Sequence, residues 1–329
     1  MSGFCTFPSA AALPAEWRGA VVAIGNFDGA HLGHQAVLGK AHELAKAQGR
    51  PAVALTFEPH PRQFFRPSEP LFRLTPRTMK QRLIETCEIA GVIEQTFDAA
   101  FAACSAREFV ERILVAEIGA GQVVVGRDFR FGKDRGGDLD FLETAGRQRG
   151  FSVIAVDAVR DAAGDVISSS RIRDLLARGE PAAAALLLGY RFAVLGTVAN
   201  GRRLGRTLGY PTANLRLDPD CGLRNGIYAV RLRRADGSVH DGVASFGNRP
   251  TVEVHGEPLL EVHLFDFSGD LYGETVSVSL FDFLRAEERF SDLDLLKTQM
   301  RRDEAQARSV LAGVEPIGPV DRVLVFRKG

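Results

Sequence analysis

Two hydrophobic periodicities run along this chain, and they change over near Gly189. Up to about residue 180, short and nearly continuous apolar runs alternate with helical stretches. Val21–Phe27, Ala52–Phe57, Val92–Phe97, Gln122–Val125 and Ser152–Val156 read as strands, and helices are expected over His34–Gln48, Thr78–Ala90, Ala106–Ile118 and Leu139–Arg149. Strands that are apolar on both faces and separated by helices specify a parallel sheet covered on both sides, with right-handed crossovers. After Leu188 the period drops to two. Arg191–Ala199, Ile227–Arg234, Val239–Ser245, Leu259–Phe267 and Thr275–Phe283 alternate apolar with polar between Gly, Asn and Asp turns. That pattern specifies an antiparallel barrel or sandwich, here followed by a helix over Asp292–Leu311. The expected fold is an α/β domain at residues 1–188 joined to an all-β barrel at residues 189–329 with a C-terminal helix. Val320–Phe326 reads as an added strand.

A chain of 329 residues with 45% hydrophobic content can build two cores. Lys plus Arg and Asp plus Glu balance at 41 each, and 22 of each lie before Gly189. Neither half has the basic excess that displaces counterions from a polynucleotide, so no nucleic-acid partner is expected. Cys5, Cys87, Cys104 and Cys221 form no C-x-x-C pair, which argues against a disulfide framework or a thiolate zinc site. No basic, apolar leader pattern precedes Arg18, and the apolar run Ala182–Leu188 is too short to span a bilayer. The expectation is a soluble cytoplasmic protein without a membrane partner, with a transient homo-oligomer left open.

The first strand runs into Gly25-Asn26-Phe27-Asp28-Gly29-Ala30-His31-Leu32-Gly33-His34, and a helix follows. Small residues let the backbone approach a ligand, and a helix start offers unpaired N–H groups and a positive dipole to phosphate. His31 and His34, three apart, can both face one phosphate and stabilise charge developing there. Further on, Ser168-Ser169-Ser170-Arg171-Ile172-Arg173 opens a helix. Its hydroxyls and Arg173 suit a triphosphate, with helix capping as the plainer alternative. Phe129 and Phe131 suit core packing as well as they suit a ligand.

The H-x-G-H string resembles the nucleotidyltransferase superfamily. With Thr56-Phe57-Glu58-Pro59-His60-Pro61, Gly126-Arg127-Asp128-Phe129-Arg130-Phe131-Gly132 and the serine run, the first half is similar to the bifunctional prokaryotic riboflavin kinase/FAD synthetase family. Ser170 stands where that family more often has Thr. The resemblance implies a Rossmann-like nucleotidyltransferase domain. In it, Gly25 to Gly29, His31, Gly33, His34, Ser168, Ser169, Ser170 and Arg173 meet ATP, and Phe57, His60 and Asp128 line a pocket for FMN.

In the second half, Gly201, Gly205 and Gly209 make a loop that fits a phosphate cradle or a plain turn. Thr212 and Asn214 alternate on an extended segment, so they share a face. Two neutral oxygens with nucleotide phosphates and water suit Mg²⁺, and a solvated strand face is the alternative. The string Gly205-Arg206-Thr207-Leu208-Gly209-Tyr210-Pro211-Thr212-Ala213-Asn214 resembles the riboflavin kinase domain of the same family. So do Gly226-Ile227-Tyr228-Ala229-Val230, Gly247-Asn248-Arg249-Pro250-Thr251, and Glu261 followed by Tyr272-Gly273. Ser245 departs from that family's more common Asn. The resemblance implies ATP at Gly201, Gly205, Arg206 and Gly209, Mg²⁺ at Thr212 and Asn214, flavin at Tyr228 and Arg249, and Glu261 as general base. It implies riboflavin, ATP and FMN as substrates, and FMN, ADP, FAD and pyrophosphate as products. A chain with one active half, a flavin-binding regulator, and another H-x-G-H transferase are the alternatives. The last leaves the P-T-A-N segment unexplained.

Overall fold

The structure is a computed structural model, and it describes residues 3–199, 210–248 and 258–326. The chain divides into two compact units, Met1–Ser169 and Ser170–Gly329. Among the described residues, no helix is long and apolar enough to cross a membrane.

The first unit is built on six strands: β1 (Cys5–Phe7), β2 (Val21–Ile24), β3 (Ala52–Glu58), β4 (Gly91–Thr96), β5 (Gln122–Gly126) and β6 (Ser152–Val156). They lie in the order β1-β4-β3-β2-β5-β6, and every neighbouring pair is parallel. All four residues of β2 are buried, as expected for a central strand with cover on both faces. Alternation divides its side chains. Val22 and Ile24 join Val53, Leu55, Val123 and Ile113 in one core. Val21 and Ala23 join the apolar stripe of α1 (Leu32–Gln48), namely Val37, Leu38, Ala41 and Ala45, in the other. Burying one such aliphatic side chain contributes about 1.5–3 kcal/mol. The chain winds from β2 toward β1 on one side and toward β6 on the other. The reversal falls beside β2, and a crevice opens at the carboxyl end of such a strand. The short edge strand β1 has no counterpart among the strands expected from periodicity.

The second unit contains a closed barrel in the order β10-β11-β8-β7-β12-β9. Its strands are β7 (Ala193–Ala199), β8 (Thr212–Arg216), β9 (Gly226–Arg233), β10 (Val239–Asn248), β11 (Pro258–Leu264) and β12 (Thr275–Arg285). Leu215, Val230, Leu232, Leu260, Val262 and Val278 fill the interior from alternate positions. Closure leaves no open sheet edge. The helix Leu293–Leu311 is capped by Asp292, and its buried Asp303 receives both guanidinium nitrogens of Arg285.

One expectation needs correction. Val320–Phe326 is helical, with a turn at Pro319–Asp321 continuing through Arg322–Phe326. Its β-branched residues favour a strand locally, but tertiary contacts override them. Pro319 sits at a first helical position, where its missing N–H costs nothing. Asp321 is buried completely and pairs with the buried Arg191 guanidinium, while also accepting the backbone N–H groups of Arg191 (2.9 Å) and Ile317 (3.0 Å). The Arg191 guanidinium lies over the Phe281 ring at 4.4 Å. Removing one member of a buried pair strands the other charge. Asp321→Ala is therefore expected to destabilise the second unit by about 3–5 kcal/mol, measured by denaturant unfolding. A loss within ordinary surface scatter would mean that the tail is not part of the barrel's fold.

Candidate functional site

At the carboxyl end of β2 the backbone turns through three positive φ values, at Phe27 (50°), Gly29 (84°) and Ala30 (35°). Glycine adopts such angles freely, whereas Phe27 in this region costs on the order of 1–3 kcal/mol. Tertiary packing holds it there: the Phe27 ring is 1% exposed and meets the His34 ring edge-on at 5.5 Å. A Cβ on Gly25 would come within 3.0 Å of that ring. Asp28, buried, accepts the N–H groups of Leu74 (3.3 Å) and Thr75 (3.0 Å) and the Thr75 hydroxyl (3.2 Å). That hydroxyl in turn accepts the Gly29 N–H at 2.9 Å. The carboxylate of Asp28 thus fastens the turn to a second loop. Asn26 is exposed.

His31 caps α1. Its Nδ1 accepts the His34 backbone N–H at 3.4 Å, so a neutral His31 ring carries its proton on Nε2, as a donor. The two imidazoles stack 3.7 Å apart at 18°. The glycine between them is required by space, because a Cβ on Gly33 would sit 3.1 Å from the His31 ring. His34 Nδ1 is buried without a hydrogen-bond partner. Burial, the His31 ring and the nearby Lys80 charge all push the His34 pKa well below its usual value. The Ser169 hydroxyl donates to the Asp28 carbonyl at 2.8 Å. Ser168 is half-buried, Ser170 exposed and Arg173 half-buried.

The expected FMN positions of the first unit lie at the ends of β3 and β5, with β2 between them. Phe57, at the end of β3, is buried in an aromatic cluster with Phe97 (6.0 Å) and Phe101 (5.6 Å). His60 is half-buried and caps the short helix Pro61–Phe65 through Nδ1, and Asp128 is exposed in the loop after β5.

Sequence reading missed a buried ionic cluster at the end of β3. Arg73 grips Glu58 with two nitrogens (2.8 and 3.1 Å), and Lys80 Nζ lies 2.5 Å from the same carboxylate. Burial favours the neutral acid at Glu58, but the Arg73 hydrogen bonds and the Lys80 charge outweigh it and hold the carboxyl below its usual range. Burial is also the main cause of the lowered Lys80 pKa, against the opposing pull of Glu58. The signal was present: Lys80 shares the buried face of the helix Arg77–Thr86 with Leu83 and Ile84, at i, i+3 and i+4.

In the barrel, the strand register aligns several residues called from sequence. Glu261 on β11 stands opposite Asn214 on β8 and Ser245 on β10, while Thr212 stands opposite His263. Directly paired residues have Cβ atoms about 5 Å apart, so Glu261 and Asn214 share one neighbourhood on the face away from the barrel core. Asn214 is buried and donates to the Thr212 carbonyl at 3.3 Å. A cavity of about 390 Å³ takes in Thr212, Asn214, Phe267, Asp270 and Tyr272, although Glu261 does not line it. Tyr228 is fully buried and its hydroxyl donates to the Arg224 carbonyl at 2.5 Å, so its polar atom is already engaged within the barrel. Gly201, Gly205, Arg206, Gly209 and Arg249 lie outside the described residues.

The buried imidazole has a consequence for stability. The unfolded chain binds a proton at His34 more readily than the folded chain does. The stability from this group is complete above the ordinary value of 6.5 and is lost as pH falls from there toward the depressed folded value. His34→Gln is expected to flatten the fall in melting temperature across that window, and parallel profiles for variant and parent would refute the assignment.

The FAD synthetase family model matches residues 13–171, and the riboflavin kinase model matches residues 188–311. The bifunctional riboflavin kinase/FMN adenylyltransferase of Pseudomonas fluorescens is 42% identical, over 90% of this chain and 94% of its own length. The protein of that description from Escherichia coli K12 is 39% identical, over 92% and 96% respectively. A solved structure described as a macrolide-efflux protein from Streptococcus pneumoniae matches with a TM-score of 0.82 at 31% identity, covering 93% of this chain and 98% of that one. By sequence over nearly its whole length and by the order of its two halves, the chain belongs to the bifunctional riboflavin kinase/FMN adenylyltransferase family.

Proposed function

We propose that the chain makes both flavin cofactors in sequence: riboflavin and ATP give FMN and ADP, then FMN and ATP give FAD and pyrophosphate. The observation that supports this reading is that each half of the chain carries its own cluster of candidate groups. The stacked His31/His34 pair lies beyond β2, and the Glu261/Asn214 pair lies across β11 and β8. We assign adenylyl transfer to residues 1–188 and riboflavin phosphorylation to residues 189–329, in a cytoplasmic protein whose four cysteines are all unpaired.

In the first reaction, Glu261 accepts the proton of the riboflavin 5′-hydroxyl as that oxygen attacks the ATP γ-phosphorus and ADP departs. The Thr212 hydroxyl and the Asn214 carboxamide are hard oxygen donors on one strand face, a set that fits Mg²⁺ together with nucleotide phosphates. The ion, when bound, offsets phosphate charge and orients the γ-phosphate. The loop containing Gly201, Gly205, Arg206 and Gly209 is assigned to the ATP phosphates, and Arg249 to the flavin.

In the second reaction, an FMN phosphate oxygen attacks the ATP α-phosphorus and the bond to pyrophosphate breaks. The nucleophile is already ionised, so the protein needs to align the two phosphates and stabilise charge rather than remove a proton. His31 offers Nε2–H to the α-phosphate. His34, kept neutral, adds a second ring at the same place. Gly25 to Gly29 and Gly33, with Ser168 to Ser170 and Arg173, complete the assigned ATP contacts. Phe57, His60 and Asp128 are assigned to FMN.

Incubation with riboflavin, ATP and Mg²⁺, with products resolved over time, is expected to show FMN first and FAD later. Glu261→Gln is expected to slow FMN formation about 100-fold or more while FMN is still converted to FAD. His31→Ala is expected to do the reverse, slowing FAD formation about 100-fold. Tight flavin binding without either product would identify a flavin-binding regulator instead. Equal loss of both activities in either variant would mean that the sites are not independent.

A further inference from the structure

Lys80 is 1% exposed, and its ammonium donates to two acceptors on β3: the Glu58 carboxylate at 2.5 Å and the Thr56 hydroxyl at 3.2 Å. An ammonium only donates, so the Thr56 oxygen must accept from it, and the single Thr56 O–H must point elsewhere. It points to the Asn26 carbonyl, 3.1 Å away. Thr56 is itself fully buried, so no water competes for that hydroxyl. A chain of directed hydrogen bonds therefore runs from Lys80 through Thr56 to the turn that carries His31 and His34. Leucine or methionine would fill the same helix face without the cost of burying a cation, so the worth of Lys80 lies in its charge and its donors.

The surrounding charges are unevenly matched. Glu58 is shared between Lys80 from the helix and Arg73 from the preceding loop, whereas Asp28 from the turn is held by the N–H groups of Leu74 and Thr75 and the Thr75 hydroxyl. Facing His34 are His31 from its own helix and Lys80 from the helix Arg77–Thr86, so both neighbours are cationic or able to become so. We propose that Lys80 is a positioning residue of the adenylyl-transfer site: through the Thr56 hydroxyl it holds the Asn26 carbonyl, and so the turn presenting His31 and His34, with its positive charge within electrostatic reach of His34. The inference rests on the adenylyltransferase reading of this unit. Lys80 acts through its neighbours and touches no reacting atom.

The test is Lys80→Met in the full chain, with Lys80→Arg and Thr56→Val beside it. Lys80→Met is expected to lower kcat for FMN conversion to FAD about 100-fold through misplacement of the turn. KM for ATP should change by less than about threefold, the split expected when positioning rather than uniform binding is lost. Riboflavin phosphorylation by the other unit should continue, and a parental denaturant-unfolding profile for the first unit reports that the variant is folded. Loss of the like charge should move both the His34 imidazole titration, followed by NMR, and the acidic limb of the FAD-forming rate to higher pH. Lys80→Arg should keep both near their parental positions. Thr56→Val should slow FAD formation without moving the His34 titration, and it decides the matter if Lys80→Met does not fold. An unmoved His34 titration in a folded Lys80→Met, or parental FAD formation in Thr56→Val, would overturn the proposal. If the parent itself makes no FAD, the adenylyltransferase reading fails, whereas the His34 titration still reads the charge placed by Lys80.

Discussion

The first unit depends on a carboxylate taken out of water. Asp28 sits in the turn after β2, 2% exposed, and a buried carboxylate is tolerable only when its oxygens are well supplied with donors. Leu74 and Thr75 supply them, and the Thr75 hydroxyl passes the connection on to the Gly29 N–H. The Asp28 carbonyl takes the Ser169 hydroxyl. Three stretches distant in sequence are thereby tied at one point, where the parallel sheet opens its crevice. The strained Phe27 backbone and the stacking of His31 on His34 persist because this knot, with the packing of Phe27, leaves the turn no looser alternative.

The groups assigned to phosphate are arranged differently in the two units. In the first, the groups around the turn include imidazoles, a helix start and a buried cation whose carboxylate partner is shared with Arg73. In the barrel, strand register places a carboxylate opposite an amide on an outward face, next to a hydroxyl two residues away. Neither arrangement needs a basic surface, which is why 41 acidic and 41 basic residues suffice for a chain that handles nucleotides. The charges that matter are few and placed, and the remainder is neutral at long range.

Much of this was legible in the residues because two simple periods are enforced by burial. Apolar runs flanked by helical stretches read as β2 to β6, and two-residue alternation as five of the six barrel strands, with β8 noted only as an extended segment. The H-x-G-H turn was legible because its glycine and two histidines occupy a strand-to-helix junction. Other features were not. β1 is three residues long and has too little pattern to declare itself. The tail around Val320 reads as a strand from its β-branched residues, yet it is helical because Asp321 is drawn to Arg191, which lies far away along the chain. The bond from the Tyr228 hydroxyl to the Arg224 carbonyl is a tertiary contact that the motif around Tyr228 does not declare.

The sequence alone determined that there are two folds, and it singled out the short strings to which phosphate chemistry is assigned. Those follow from local period, backbone freedom and side-chain type, all of which are properties of neighbouring residues. Tertiary structure decided which groups share an electrostatic environment. Lys80 and His34 belong to different helices, Glu58 to a strand and Arg73 to a loop, and only packing around the sheet brings their charges within range of one another. In the barrel, the pairing of Glu261 with Asn214 is likewise a matter of register, since shifting one strand by a single residue would turn one of them toward the core. Coulomb energy and hydrogen bonding depend on distance in space, and a sequence specifies that distance only once it has folded.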